Sequence, residues 1–86
     1  MDNTTIKKRP LPWSPTKSDV LRIYVKLNKV VVQDEIWEVM MQHRKKTRDQ
    51  VKNKRILFHP EFVAIVKLFG IPQGYYAPDG FFQEPV

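Results

Sequence analysis

Apolar and polar positions alternate along this chain with more than one period, and each period predicts a different element. Between positions 34 and 55, Ile36, Met40, His43, Thr47 and Val51 follow one another at spacings of four, three, four and four. That spacing lines one face of an α-helix. Asp34, Glu35 and Glu38 open the segment and basic residues close it, which suits the helix macrodipole at both ends. A long helix over 34–55 is the prediction. A second helix is predicted over 59–69. Pro60 suits its first turn with His59 just ahead, Phe62, Ile65, Val66 and Phe69 form its apolar face, and Gly70 with Pro72 beyond ends it.

Residues 18–32 fit two periods. As a helix capped by Ser18, they bury Val20, Leu21, Tyr24, Leu27 and Val31. As a strand, Leu21, Ile23, Val25 and Leu27 share one face. Ser14-Pro15 offers another helix start. The helix is preferred, with Val30-Val31-Val32 its least suited part, because β-branched residues lower helix propensity. An alternating segment followed by two helices is loosely similar to ribbon-helix-helix DNA-binding proteins. The likeness is of pattern only, and the gap between the helices is longer than that fold's turn, so it is not adopted. A tight glycine-containing turn, as in a helix-turn-helix, is also absent from the sequence.

Both ends read as extended. Pro10, Pro12 and Pro15 make residues 1–17 a proline-rich arm. Trp13 within it is a ring that docks on its own domain or on a partner. At the other end, Pro78-Asp79-Gly80 is a turn. Tyr75, Tyr76, Phe81 and Phe82 are too many aromatics for a free tail, so this segment should fold back across the helices. The expected architecture is mainly α: one small domain over 18–86, of about three helices, preceded by the arm.

Charge changes the picture more than composition does. The net charge of the whole chain is +6, and residues 43–55 hold seven lysines and arginines against the single acid Asp49. Everywhere else basic and acidic residues balance. A near-neutral body with one concentrated positive patch attracts polyanions. On a continuous helix, Arg44, Arg48, Lys52 and Arg55 would form one strip with Lys45 at its edge, and Trp37 and Met41 would continue it. Such a ridge is spaced to reach successive phosphates. The plainer alternative is a solvated helix end whose cations satisfy the macrodipole. In the arm, Lys7, Lys8 and Arg9 form a second positive element able to lie along a nucleic-acid backbone, or simply a charged terminus.

Other chemistry finds little support. The chain has no cysteine, so disulfides, thiol nucleophiles and thiolate metal sites are excluded. His43 and His59 lack HExxH-type spacing and a third ligand, so no metal is expected. His43 is placed at the core boundary and His59 at a helix end. Phosphate-cradling glycine motifs and nucleophile elbows are missing, and no cofactor is expected. The first residues have no apolar core of a secretory signal, and no apolar run approaches a membrane span. The expected setting is cytoplasmic. A chain this small buries a modest fraction of its surface, so self-association or a partner is the route to more buried area.

These features lead to a non-enzymatic nucleic-acid-binding accessory protein. Arg44, Lys45, Arg48, Lys52 and Arg55 would contact phosphates, assisted by Lys7, Lys8 and Arg9. A rigid helix suits a DNA major groove better than RNA. The alternative is a protein-interaction module, such as an adaptor, assembly factor or inhibitor of a larger enzyme. It would dock through Trp13, Trp37 and the aromatic C-terminal segment onto an acidic protein surface.

Overall fold

The computed structural model describes residues 8–83. The chain is mainly helical, with helices α1 (Lys17–Ile23), α2 (Lys29–Arg44), α3 (Arg48–Lys52) and α4 (His59–Phe69). Two short strands, β1 (Arg9–Pro10) and β2 (Tyr75–Tyr76), pair in parallel with Arg9 opposite Tyr75. Helix α2 is central: α1, α3 and α4 all pack against it.

Segment 18–32 is helical at both ends but not in the middle. Thr16, not Ser18, caps α1. Its hydroxyl accepts from the Asp19 N–H at 3.0 Å, and the Asp19 carboxylate accepts from the Thr16 N–H at 3.2 Å. This reciprocal pair satisfies two first-turn donors. Asn28 then starts α2, its side-chain oxygen accepting from the Val30 N–H at 2.9 Å. An asparagine that caps a new helix competes with continuation of the old one. The valine run therefore enters α2 in its first turn, where no preceding turn crowds a branched Cβ. Val20 and Tyr24 are buried as expected, whereas Leu27 and Val31 are exposed.

The long helix predicted over 34–55 is instead two helices. It begins earlier, at Lys29, and stops at Lys45, whose φ of 54° is left-handed. Thr47 caps α3 in a second reciprocal pair with Gln50. The apolar spacing carried straight through this break because α3 folds back on α2, so Ile36, Met40 and Val51 share one core despite the turn. The helix predicted over 59–69 is present with those bounds, closed by Gly70 at φ 85°.

From Lys8 onward the arm is part of the body. The Arg9 N–H donates to the Gly74 carbonyl at 2.9 Å and the Leu11 N–H to Tyr76 at 3.0 Å. Leu11 is buried. Thr16 and Ile56 form an antiparallel bridge, flanked by bonds from Lys17 to Arg55 and from Leu57 to Pro15, both 2.8 Å. The C-terminal segment folds back as predicted. The Phe81 N–H closes a turn on the Pro78 carbonyl, and the buried Phe81 ring meets Phe62 edge-on at 5.7 Å.

His59, the first residue of α4, fastens the two extended segments together. One ring nitrogen lies 2.9 Å from the Trp13 carbonyl oxygen and the other 2.7 Å from that of Phe81. Trp13 stacks flat on the imidazole with centroids 3.7 Å apart.

Candidate nucleic-acid interface

The cations of 44–55 separate into an inward and an outward set. Arg44 is inward. Its guanidinium grips the Glu61 carboxylate through Nε at 2.8 Å and Nη2 at 2.9 Å, and Nη2 also donates to the Ile56 carbonyl at 2.9 Å. The Arg44 side chain is 10% exposed and that of Glu61 is fully buried. Glu61 also accepts from the Phe58 N–H at 2.7 Å and meets His43 Nδ1 at 3.0 Å. Every lone-pair direction of this buried carboxylate thus has a partner, which burial of a charge requires. Arg44 is therefore a structural residue, and the expectation that it reaches phosphates is corrected: its charge is spent inside the fold. His43 sits at the boundary as expected, half exposed.

Arg48, Lys52, Lys54 and Arg55 are outward, together with Lys45 and Lys46 in the turn. Arg48 bonds Asp34 at 3.2 Å and lies over the Trp37 ring at 4.6 Å; the Lys52 ammonium is 5.7 Å from the same ring. The predicted neighbourhood of Trp37 with Arg48 and Lys52 is therefore present, although α3 supplies it by folding back rather than by continuing α2. These contacts hold α3 on α2 and cover part of Trp37, a cation–π arrangement.

Lys52, Lys54 and Arg55 line a cleft of about 160 Å³ with Thr16, Lys17 and Ser18. The Lys17 ammonium donates to the Val51 carbonyl at 2.6 Å and that of Lys52 at 3.2 Å. It thereby satisfies carbonyls at the end of α3. Burial holds the Lys17 pKa below the ordinary lysine value, and the Arg44 guanidinium pushes in the same direction. Among the described residues no carboxylate lines this cleft. It is a cationic recess that an oxyanion would relieve.

Lys8 and Arg9 are exposed on and beside β1, and Lys8 lines a different hollow with Pro72 and Tyr75. Neither Lys8 nor Arg9 lines the α3 cleft. Lys7 lies outside the described residues. Trp13 stays 50% exposed while stacked on His59.

Sequence reasoning missed Glu61 and Lys17. Glu61 carried a signal: an acid three residues after Phe58, in the position where a carboxylate reaches back to the start of a helix. Lys17 carried none, because its contacts lie 34 and 35 residues away.

Among the described residues no cluster of histidine and carboxylate suits a metal ion, and no helix is long and apolar enough to cross a membrane. No protein-family model matches the sequence, and neither the curated proteins nor the solved structures contain a match to it.

Proposed function

We propose that this protein is a non-enzymatic, cytoplasmic nucleic-acid-binding accessory protein whose contacts are made by the folded-back cationic surface. The observation that carries the reading is the outward set itself. Lys45, Lys46, Arg48, Lys52, Lys54 and Arg55 are all exposed, with Asp49 the one acid among them in sequence. Phosphates supply affinity to such a surface without base selection. With the long helix divided, helix rigidity no longer favours duplex DNA over RNA.

The test is fluorescence anisotropy with duplex DNA, single-stranded DNA and structured RNA, each across a salt series. A log–log salt slope of about −3 is expected while α3 stays folded back. The Lys52→Glu, Lys54→Glu double variant should lose more than about tenfold in affinity, since reversing two charges removes two phosphate contacts and adds repulsion. Absence of binding at low salt, or unchanged binding by that variant, refutes the proposal.

The reading as a protein-interaction module is favoured by one observation, the half-exposed ring of Trp13 stacked on His59. Exposed aromatics are frequent interface anchors. In that case Trp13→Ala weakens a protein complex and the charge reversals leave it intact.

A further inference from the structure

A second surface, sharing no residue with the cationic cleft, lies where the α1–α2 connection meets the end of α4. Ile23, Tyr24, Val25, Leu27, Phe69 and Ile71 form a groove of about 220 Å³. Its floor is fixed: the Tyr24 hydroxyl donates to the Gly70 carbonyl at 2.7 Å and the Tyr24 and Phe69 rings lie 5.6 Å apart. Its walls are apolar yet exposed, Val25 at 75%, Ile71 at 48% and Leu27 at 40%. Val30 and Val31, in the first turn of α2 just beyond, are also exposed. Contiguous exposed apolar surface of this kind marks an interaction site.

The charges around it identify the occupant. Pro72 and Gln73 join the groove to the hollow beside β2. The charged residues lining the two are Lys26 and Lys8, and among the described residues no carboxylate lines either. Helix α2 opens on Lys29 and has no acid in its first turn, so its macrodipole adds to the positive field instead of being compensated. A second copy of this chain would set lysine against lysine, on a protein of net charge +6. The groove itself, about 220 Å³, has room for inserted side chains.

We propose that this groove docks a short segment of a partner protein carrying large apolar anchors flanked by aspartate or glutamate. The anchors insert between Leu27 and Ile71, and the acids pair with Lys26 and Lys8. This activity is independent of nucleic-acid binding at α3.

The probe is a fluorescein-labelled synthetic peptide with leucine and phenylalanine one helical turn apart and acidic residues between, titrated into the full chain. An all-acidic peptide of equal charge is the control. Binding should shift the backbone amide resonances of Val25, Leu27 and Ile71, and the control should bind at least about tenfold more weakly. Ile71→Asp and Lys26→Glu, both at exposed positions, should each weaken the peptide by about tenfold or more. Lys52→Glu with Lys54→Glu should leave it unchanged, which separates this surface from the α3 patch. Equal binding of both peptides, shifts confined to residues 45–55, or no binding overturns the proposal. So does binding to phosphatidylserine vesicles that Ile71→Asp abolishes without any peptide binding, or concentration-dependent dimerisation lost in the same variant.

Discussion

Replacing Glu61 by glutamine keeps the shape of the α4 start and removes one charge from the interior. Arg44 would then stand with its guanidinium 10% exposed against an amide whose NH2 is a donor facing donors. Removing one partner of a buried ion pair costs about 3–5 kcal/mol, because the remaining charge is left unpaired. Glutamine keeps the Oε1 acceptor that serves both Phe58 and Arg44 Nη2 but turns the Oε2 position, which faces Arg44 Nε and His43, into a donor, so a cost near about 3 kcal/mol is expected. A chain of 86 residues has a total stability of about 4–13 kcal/mol. The single substitution therefore removes a quarter to most of it.

Urea unfolding followed by far-UV circular dichroism reads this directly. With a slope of about 1 kcal/mol per molar, appropriate to a small domain, the midpoint should fall by about 3 M. Arg44→Ala should fall comparably, since it strands the carboxylate. The double variant Arg44→Met, Glu61→Leu should recover most of the loss, because an apolar pair of similar volume removes both desolvation penalties. The double variant should also keep nucleic-acid affinity, since neither charge faces solvent as part of the patch. A Glu61→Gln midpoint within about 0.5 M of the parent protein, or a double variant no better than the singles, would refute the account of Arg44 as an interior group.

Burial pushes the Tyr24 phenol up to about 12. Its unfolded value is about 10, so folding favours the un-ionised form; that stability is complete below pH 10 or so and is lost as pH rises through the folded value. Tyr24→Phe should flatten the fall of the urea midpoint over this alkaline range while lowering stability at neutral pH by about 1 kcal/mol for the lost bond to Gly70. Lys45 holds a left-handed conformation, and Lys45→Gly should raise stability by about 0.5–1 kcal/mol, seen as a melting temperature higher by several degrees. His59→Ala removes the ring that lies between the Trp13 and Phe81 carbonyls and the surface on which Trp13 stacks. It should cost about 1–2 kcal/mol and red-shift the fluorescence of Trp13, with Trp13→Phe as the subtraction.

What the sequence made legible was whatever depended on neighbours along the chain. Helix α4 could be read whole because Pro60, its apolar face and Gly70 all lie within one element. The helical character of 18–32 was legible, but its division was not, because the deciding residue, Asn28, looks like an ordinary polar position until its side chain is seen to accept from Val30. The break at Lys45 was hidden by a coincidence of spacing. Val51 continues the period of Ile36 and Met40 although α3 has reversed direction, so periodicity alone gave no sign of a turn. Only the pair Thr47 and Gln50, spaced for a reciprocal cap, carried that information. The inward fate of Arg44 depended on Glu61, 17 residues away, and no local pattern distinguishes it from Arg48.

The same break alters how the cationic surface would meet a polyanion. Along a continuous helix, residues 44–55 would spread their charges over about 17 Å, each near a different phosphate. Folded back and pinned by Asp34 and Trp37, α3 gathers them instead, so neighbouring lysines compete for the same phosphates. Since the salt slope counts phosphates neutralised and not lysines present, the gathered arrangement calls for a slope near −3. A slope near −5 would require the charges to be spread out, and hence that α3 leaves Trp37 and rejoins α2 on binding. Trp37 fluorescence distinguishes the two, because Arg48 and Lys52 lie over its ring only while α3 stays folded back.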